Sequence, residues 1–168
     1  DTTDLRSKIA AEVKNYDPLD HFDNQTLKRI DLYTQYAMIA GKQALEDSDI
    51  MKHDFNPNLF GVILGAGIGG ITTFTEEAYK MFKQGPRKIS PFFIPKMISN
   101  IAAAHLSIKY NLKGVSYTCV SACASANHSI GSAYRAIQYG DADLVLTGGS
   151  EAAITPMAIG GFCSMRAL

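Results

Sequence analysis

The sequence predicts an α/β fold whose sheet is parallel over much of its length. Short apolar runs rich in branched residues alternate with longer segments whose apolar residues recur at helical spacing, the pattern of strand–helix–strand units. The 168-residue chain is also 46% hydrophobic and only 19% charged, a composition suited to one well-buried globular domain and opposed to disorder.

Taken in order, the opening residues mix charge with Pro18 and Asn24 without a clear period and read as a surface segment or short helices. From Thr26 to Asp47, Leu27, Ile30, Thr34, Ala37, Ala40 or Gly41, and Ala44 recur every three or four residues, which predicts one helix with a buried stripe. Leu59 to Leu64 is a short branched run between Asn56-Pro57-Asn58 and a glycine cluster, the pattern of a strand buried on both faces. A helix follows Gly70 through Phe82 and stops at Gly85-Pro86. A further helix is predicted from Ile94 to Tyr110, with Pro95 in the first turn, where a missing N–H costs nothing. Gly114 to Ala122 alternates as a strand, Cys123 to Tyr139 reads as a helix, and Ala142 to Gly148 as a third strand. No internal repeat, low-complexity tract or linker interrupts this order.

The balance of 16 basic and 16 acidic residues conceals a polar distribution. Asp1 to Glu77 is net −6, Ala78 to Gly140 holds 8 bases and no acid, and the remainder is net −2. Either part of the middle surface meets something anionic, or a basic face is balanced in the fold by the acidic first third. Nucleic acid fits less well, because no basic run is long. No apolar run reaches the roughly 18 residues of a membrane span, and the start, Asp1-Thr2-Thr3-Asp4, lacks the basic and apolar regions of a signal peptide. Cys119, Cys123 and Cys163, an odd set without a CxxC pair, suggest neither a disulfide framework nor a zinc site. A soluble protein of the reducing cytoplasm, without metal, is the expectation.

Two motifs bear on chemistry. Gly65-Ala66-Gly67-Ile68-Gly69-Gly70 satisfies GxGxxG between a strand and a helix, but the acidic residue a dinucleotide site needs about 20 positions later is absent. Arg87 and Lys88 leave an NADP-binding version open, and the better reading is that the glycines let backbone approach another element or a substrate. Cys123, in Val120-Ser121-Ala122-Cys123-Ala124-Ser125-Ala126, stands at a strand-to-helix junction among very small residues. A helix N-terminus behind the thiol favours the thiolate, and its free N–H groups suit an oxyanion; the alternative is a small buried hydrophobe. Cys119 and Cys163 read as packing residues. His128, about 140° around the helix from Cys123, points away from it, and His21, His53 and His105 offer no evident base. Gly148-Gly149-Ser150-Glu151 closes the third strand, and its structural use, capping the next turn or orienting the site, is the reading favoured.

The run from Ala122 to Leu168 (ACASANHSIGSAYRAIQYGDADLVLTGGSEAAITPMAIGGFCSMRAL), together with GAGIGG, GPRKISPFFIP and GDADLVLTGGSE in that order, resembles the active-site half of the β-ketoacyl-[acyl carrier protein] synthases, closest to the elongating type II enzymes of fatty acid synthesis. The resemblance implies a thiolase-like fold, with residues 1–168 forming the first half of a duplicated α/β sandwich. It implies that Cys123 takes an acyl group from acyl carrier protein as a thioester before condensation with malonyl thioester and loss of CO2. No cofactor is implied, since phosphopantetheine arrives on the carrier. The family's acyl tunnel maps onto Ile68, Phe93 and Phe162, with Phe93 reaching across a homodimer interface. Carrier docking maps onto Lys28, Arg29, Arg87, Lys88 and Arg166.

There are departures. Cys119 stands where the family usually has an aliphatic or small residue. The family's first strand and the whole second half lie outside 1–168, and with them two decarboxylation-promoting histidines, a structural lysine and the second oxyanion N–H. The expectation is therefore a segment of a longer enzyme, because a three-stranded unit leaves apolar sheet faces and edges uncovered. The rival reading is a non-condensing chain-length partner subunit; such subunits usually lack the cysteine.

Overall fold

The computed structural model describes residues 3–168; Asp1 and Thr2, the start of the segment read as unlike a targeting signal, lie outside the described residues. Three parallel strands form the sheet in the order β2-β1-β3: β1 (Phe60–Gly65), β2 (Ser116–Cys119) and β3 (Leu144–Gly149). Gly65 is in register with Cys119 on one side and with Gly149 on the other, so all three strands end at one level. Every residue of β1 is buried, as its unbroken apolar run requires of a central strand with helices on both faces.

Those faces alternate with the pleat. Phe60, Val62 and Leu64 pack with Tyr33, Ala37 and Leu45 of α2 (Leu32–Asp47) and with Ala102, Ala103 and Leu106 of α5 (Ile101–Tyr110). Ile63 points the other way, onto Ala133 and Ala136 of α6 (Ser125–Gln138). The connection from β1 to β2 runs through α3 (Ile71–Gln84) and α4 (Phe93–Met97), and α7 (Pro156–Ser164) follows β3.

Several boundaries differ from the sequence expectation. The helix expected over Thr26–Asp47 is broken: a short α1 (Asn24–Leu27) ends before Asp31, whose extended backbone and side chain cap α2 by accepting the Tyr33 N–H. The buried stripe uses Gly41, the second of the two residues offered at that step, and then Leu45, while Ala40 and Ala44 face outward. The helix expected over Ile94–Tyr110 is two helices. Ile98 is extended, and its carbonyl accepts the Tyr33 hydroxyl at 2.6 Å, while the Met97 carbonyl accepts the Gly70 N–H at 3.0 Å. Tertiary hydrogen bonds thus take carbonyls that a continuous helix would use itself. The strand expected over Gly114–Ala122 is confined to Ser116–Cys119, and the helix expected from Cys123 begins at Ser125. Among the described residues, no helix is long and apolar enough to cross a membrane.

Candidate active site

The carboxyl ends of β1, β2 and β3 frame one pocket of about 440 Å³. A crevice outside the carboxyl ends of parallel strands, where the strand order reverses, is the usual ligand position of such sheets. Cys123 lines it and is solvent-exposed, which removes the reading of this thiol as a small buried hydrophobe. Ile68 and Phe162 line the same pocket, so the structure brings together three of the residues named from the sequence. Phe93 is the first residue of α4, half-buried, and is not among those lining residues.

Small residues put the thiol there. A Cβ on Gly65 would overlap the Ser125 carbonyl group, and one on Gly149 would lie 2.7 Å from the Ala126 Cβ, so α6 meets the sheet edge-on to two glycines. Between β2 and α6 the chain reverses through Ala122, which has φ of 51°, the left-handed region that a side chain disfavours. Ser125 holds this turn: its hydroxyl accepts the Ser121 N–H at 2.9 Å and donates to the Ala122 carbonyl at 2.7 Å. The Ala124 and Ser125 N–H groups donate to Ser121 and Ala122 carbonyls, both at 3.1 Å. Two of the amides expected to be free for an oxyanion at the helix start are therefore spent on the turn.

The glycine turn after β1 is filled by a side chain that the sequence reading had assigned only a general structural use. Glu151 Oε2 accepts the Gly67 N–H at 2.7 Å and the Ile68 N–H at 3.0 Å, and Oε1 accepts the Gly69 N–H at 3.1 Å. A dinucleotide pyrophosphate would compete with a tethered carboxylate for these same donors, which removes the physical basis for an NADP site at this turn. The other expectation for the glycines holds: a Cβ on Gly69 or Gly70 would lie 2.7 Å from the Met97 or Lys96 carbonyl oxygen, so backbone passes close at both. Buried Asp31 grips the turn's far side through the Thr73 N–H (2.9 Å) and hydroxyl.

The remaining candidates are dispersed. Lys28 and Arg29 are exposed after α1, Arg87 and Lys88 are exposed in the one-turn helix Pro86–Lys88, and Arg166 is exposed after α7. Arg29 lies over the Phe92 ring, 5.4 Å from its centre. Cys163 is buried and accepts the Ser7 N–H at 3.5 Å; Cys119 Sγ lies 3.6 Å from Ser132 Oγ. His128 is exposed and does not line the thiol's pocket; His105 is half-buried, and burial pushes its pKa down. Among the described residues, no group of three or more His, Cys, Asp or Glu side chains gathers as a metal ion needs. The sequence reading missed α7, which carries Phe162 into the pocket; Thr155 capping the Ala158 N–H, with Pro156 next, is the signal that marks it.

An exposed cysteine on a strand-to-helix turn, facing an apolar pocket at the end of a parallel sheet, is an arrangement in which a thiol is accessible to an apolar ligand. The chain belongs to the β-ketoacyl synthase N-terminal domain family, whose model matches residues 1–168. It is 43% identical over all its 168 residues to 3-oxoacyl-[acyl-carrier-protein] synthase 2 of Coxiella burnetii and 41% identical to that of Staphylococcus aureus. It spans 41% and 42% of those proteins, about two-fifths of their length. Among solved structures, a β-ketoacyl synthase from Burkholderia phymatum superposes with a TM-score of 0.83 at 25% identity, over 97% of this chain and 40% of that one. A ketosynthase complexed with its type II acyl-carrier protein and bound to the hexaketide gives 0.85 at 23% identity, over 92% and 44%, a likeness of fold. The thiolase-like α/β fold expected from the sequence is thus the observed one.

Proposed function

We propose that the protein containing this chain is a β-ketoacyl-[acyl carrier protein] synthase of the type II elongating class. The observation that carries the reading is Cys123, exposed at the mouth of an apolar pocket in a chain whose full-length relatives bear that name. Cys123 Sγ attacks the carbonyl of an acyl thioester, a C–S bond forms, and the phosphopantetheine thiol of the carrier leaves with the proton. Malonyl thioester then loses CO2. Its carbanion attacks the acyl carbonyl, a C–C bond forms, and the cysteine leaves as thiolate. In the family this chain resembles, the groups that promote decarboxylation lie outside the region matched by residues 1–168.

Ile68 and Phe162 serve as walls for the acyl chain, and Phe93 completes the tunnel from a second copy in a homodimer. The edge strand β2 with exposed Tyr117, the exposed Val120 directly after it, and the apolar face of α6 with Ile130, Tyr134 and Ile137 are surfaces for that copy and for the rest of the protein. Lys28, Arg29, Arg87, Lys88 and Arg166 receive the acidic carrier protein, a role supported by their exposure and charge. A cytoplasmic location follows from this pathway role. The test is condensation of acyl and malonyl thioesters by the full-length protein, which Cys123→Ala abolishes; retained condensation overturns the reading. The non-condensing chain-length subunit is the poorer alternative, since it has no use for an exposed thiol on a strained turn.

A further inference from the structure

We infer that Glu151 is a positioning residue for acyl-chain selection, acting by holding the Gly67–Gly69 turn that presents Ile68 to the Cys123 pocket; this inference rests on the function proposed above. Glu151 is launched from rigid backbone. Just before it, the Ser150 N–H donates to the Gly65 carbonyl at 3.0 Å and the Ser150 hydroxyl to the Tyr33 carbonyl at 2.7 Å. From there its two oxygens take three successive N–H groups at 2.7, 3.0 and 3.1 Å. The turn lies between β1 and α3, tied at its ends by the Ala66 N–H on the Cys119 carbonyl at 3.3 Å and the Gly70 N–H on the Met97 carbonyl at 3.0 Å, and Gly69 within it has φ of 75°. Ile68, at the middle of the three gripped amides, is 43% exposed and lies on the pocket side, so the core does not hold its side chain in place. The carboxylate fixes the backbone from which that side chain projects, between the tied ends of the turn.

A glutamine at this position keeps the length but has one acceptor oxygen in place of two and adds an NH2 donor. At least one turn amide is then left facing a donor, and the Ile68 wall loosens. The thiol itself stands on a separate turn braced by Ser125.

The experiment uses the full-length protein and follows acylation of Cys123 by hexanoyl and tetradecanoyl carrier-protein thioesters with intact-mass spectrometry. Glu151→Gln is expected to shift the ratio of the two acylation rates about tenfold, as loss of a hydrogen bond to a charged group implies, while alkylation by iodoacetamide persists. In an Ile68→Ala background, Glu151→Gln is expected to add nothing to the ratio, because the wall it positions is gone. An unchanged ratio in a folded Glu151→Gln protein, or additive shifts in the double variant, overturns the inference. Should Glu151→Gln fail to fold, Glu151→Asp reads the same ratio with the same expectation of a shift. A wild-type protein that neither thioester acylates overturns the functional reading itself, an outcome distinct from the others.

Discussion

The Ser125 hydroxyl donates to the Ala122 carbonyl, 2.7 Å away, across the turn that carries Cys123. Ala122 is held at φ 51°, so the turn stores backbone strain that something must oppose, and this bond together with the Ser121 N–H on the same oxygen supplies the restraint.

Ser125→Ala therefore removes both bonds at a site where Ser125 is buried. We expect a loss of about 1 to 3 kcal/mol in stability and slower acylation of Cys123 with little change in thioester binding. Denaturant unfolding and a split of kcat from KM check the two halves.

Gly65→Ala places a Cβ onto the Ser125 carbonyl group, and backbone on both sides cannot yield cheaply. The expected outcome is a stability loss of at least about 3 kcal/mol, at the upper end for overpacking, read as a collapse of soluble yield and melting temperature.

The Tyr33 side chain is fully buried and its hydroxyl donates to the Ile98 carbonyl at 2.6 Å, at the break between α4 and α5. Burial pushes its pKa up to about 12. Tyr33→Phe takes one of two donors from that carbonyl, which keeps the Ile101 N–H at 3.2 Å, for an expected cost of about 1 kcal/mol, and removes the tyrosine pushed up to about 12 from an alkaline absorbance titration of the folded protein.

Acid weakens the fold in two stages. Burial holds His105 below its ordinary 6.5, so the unfolded chain takes the proton first; this contribution is whole above pH 6.5 and is lost as pH falls through the folded value. Glu77, whose side chain is 6% exposed, is held below its ordinary 4.5 by the Lys80 ammonium and the Ser90 N–H, and its contribution is whole above pH 4.5 and lost below its depressed folded value. Stability measured from neutrality downward should fall first near the histidine range and again in the carboxylate range. His105→Gln flattens the first fall and Glu77→Gln the second.

What the sequence made legible was local. β1 and α3 were readable because Asn56-Pro57-Asn58 and Gly85-Pro86 bound them with residues whose backbone preferences leave little choice. Cys123 was legible as a candidate only in part: small residues at a strand-to-helix junction fit a small packing residue as well as a reactive thiol, and the resemblance of the surrounding blocks favoured the second, while its exposure at the pocket comes from the structure. The breaks at Asp31 and Ile98 were not, because apolar periodicity runs on through both while Asp31 caps α2 and is held by distant Thr73, and the Ile98 carbonyl is taken by distant Tyr33. The clamp of Glu151 on the GAGIGG turn joins residues more than 80 positions apart, and its only trace in the sequence is a carboxylate directly after a strand-ending Gly-Gly-Ser.

The central claim concerns a single covalent bond. Incubating the full-length protein with a fatty acyl thioester of acyl carrier protein and mapping the added mass by peptide should give one acyl group on the peptide containing Cys123 and none in Cys123→Ala. Acyl label on any other residue, or equal labelling of the variant, would contradict the account.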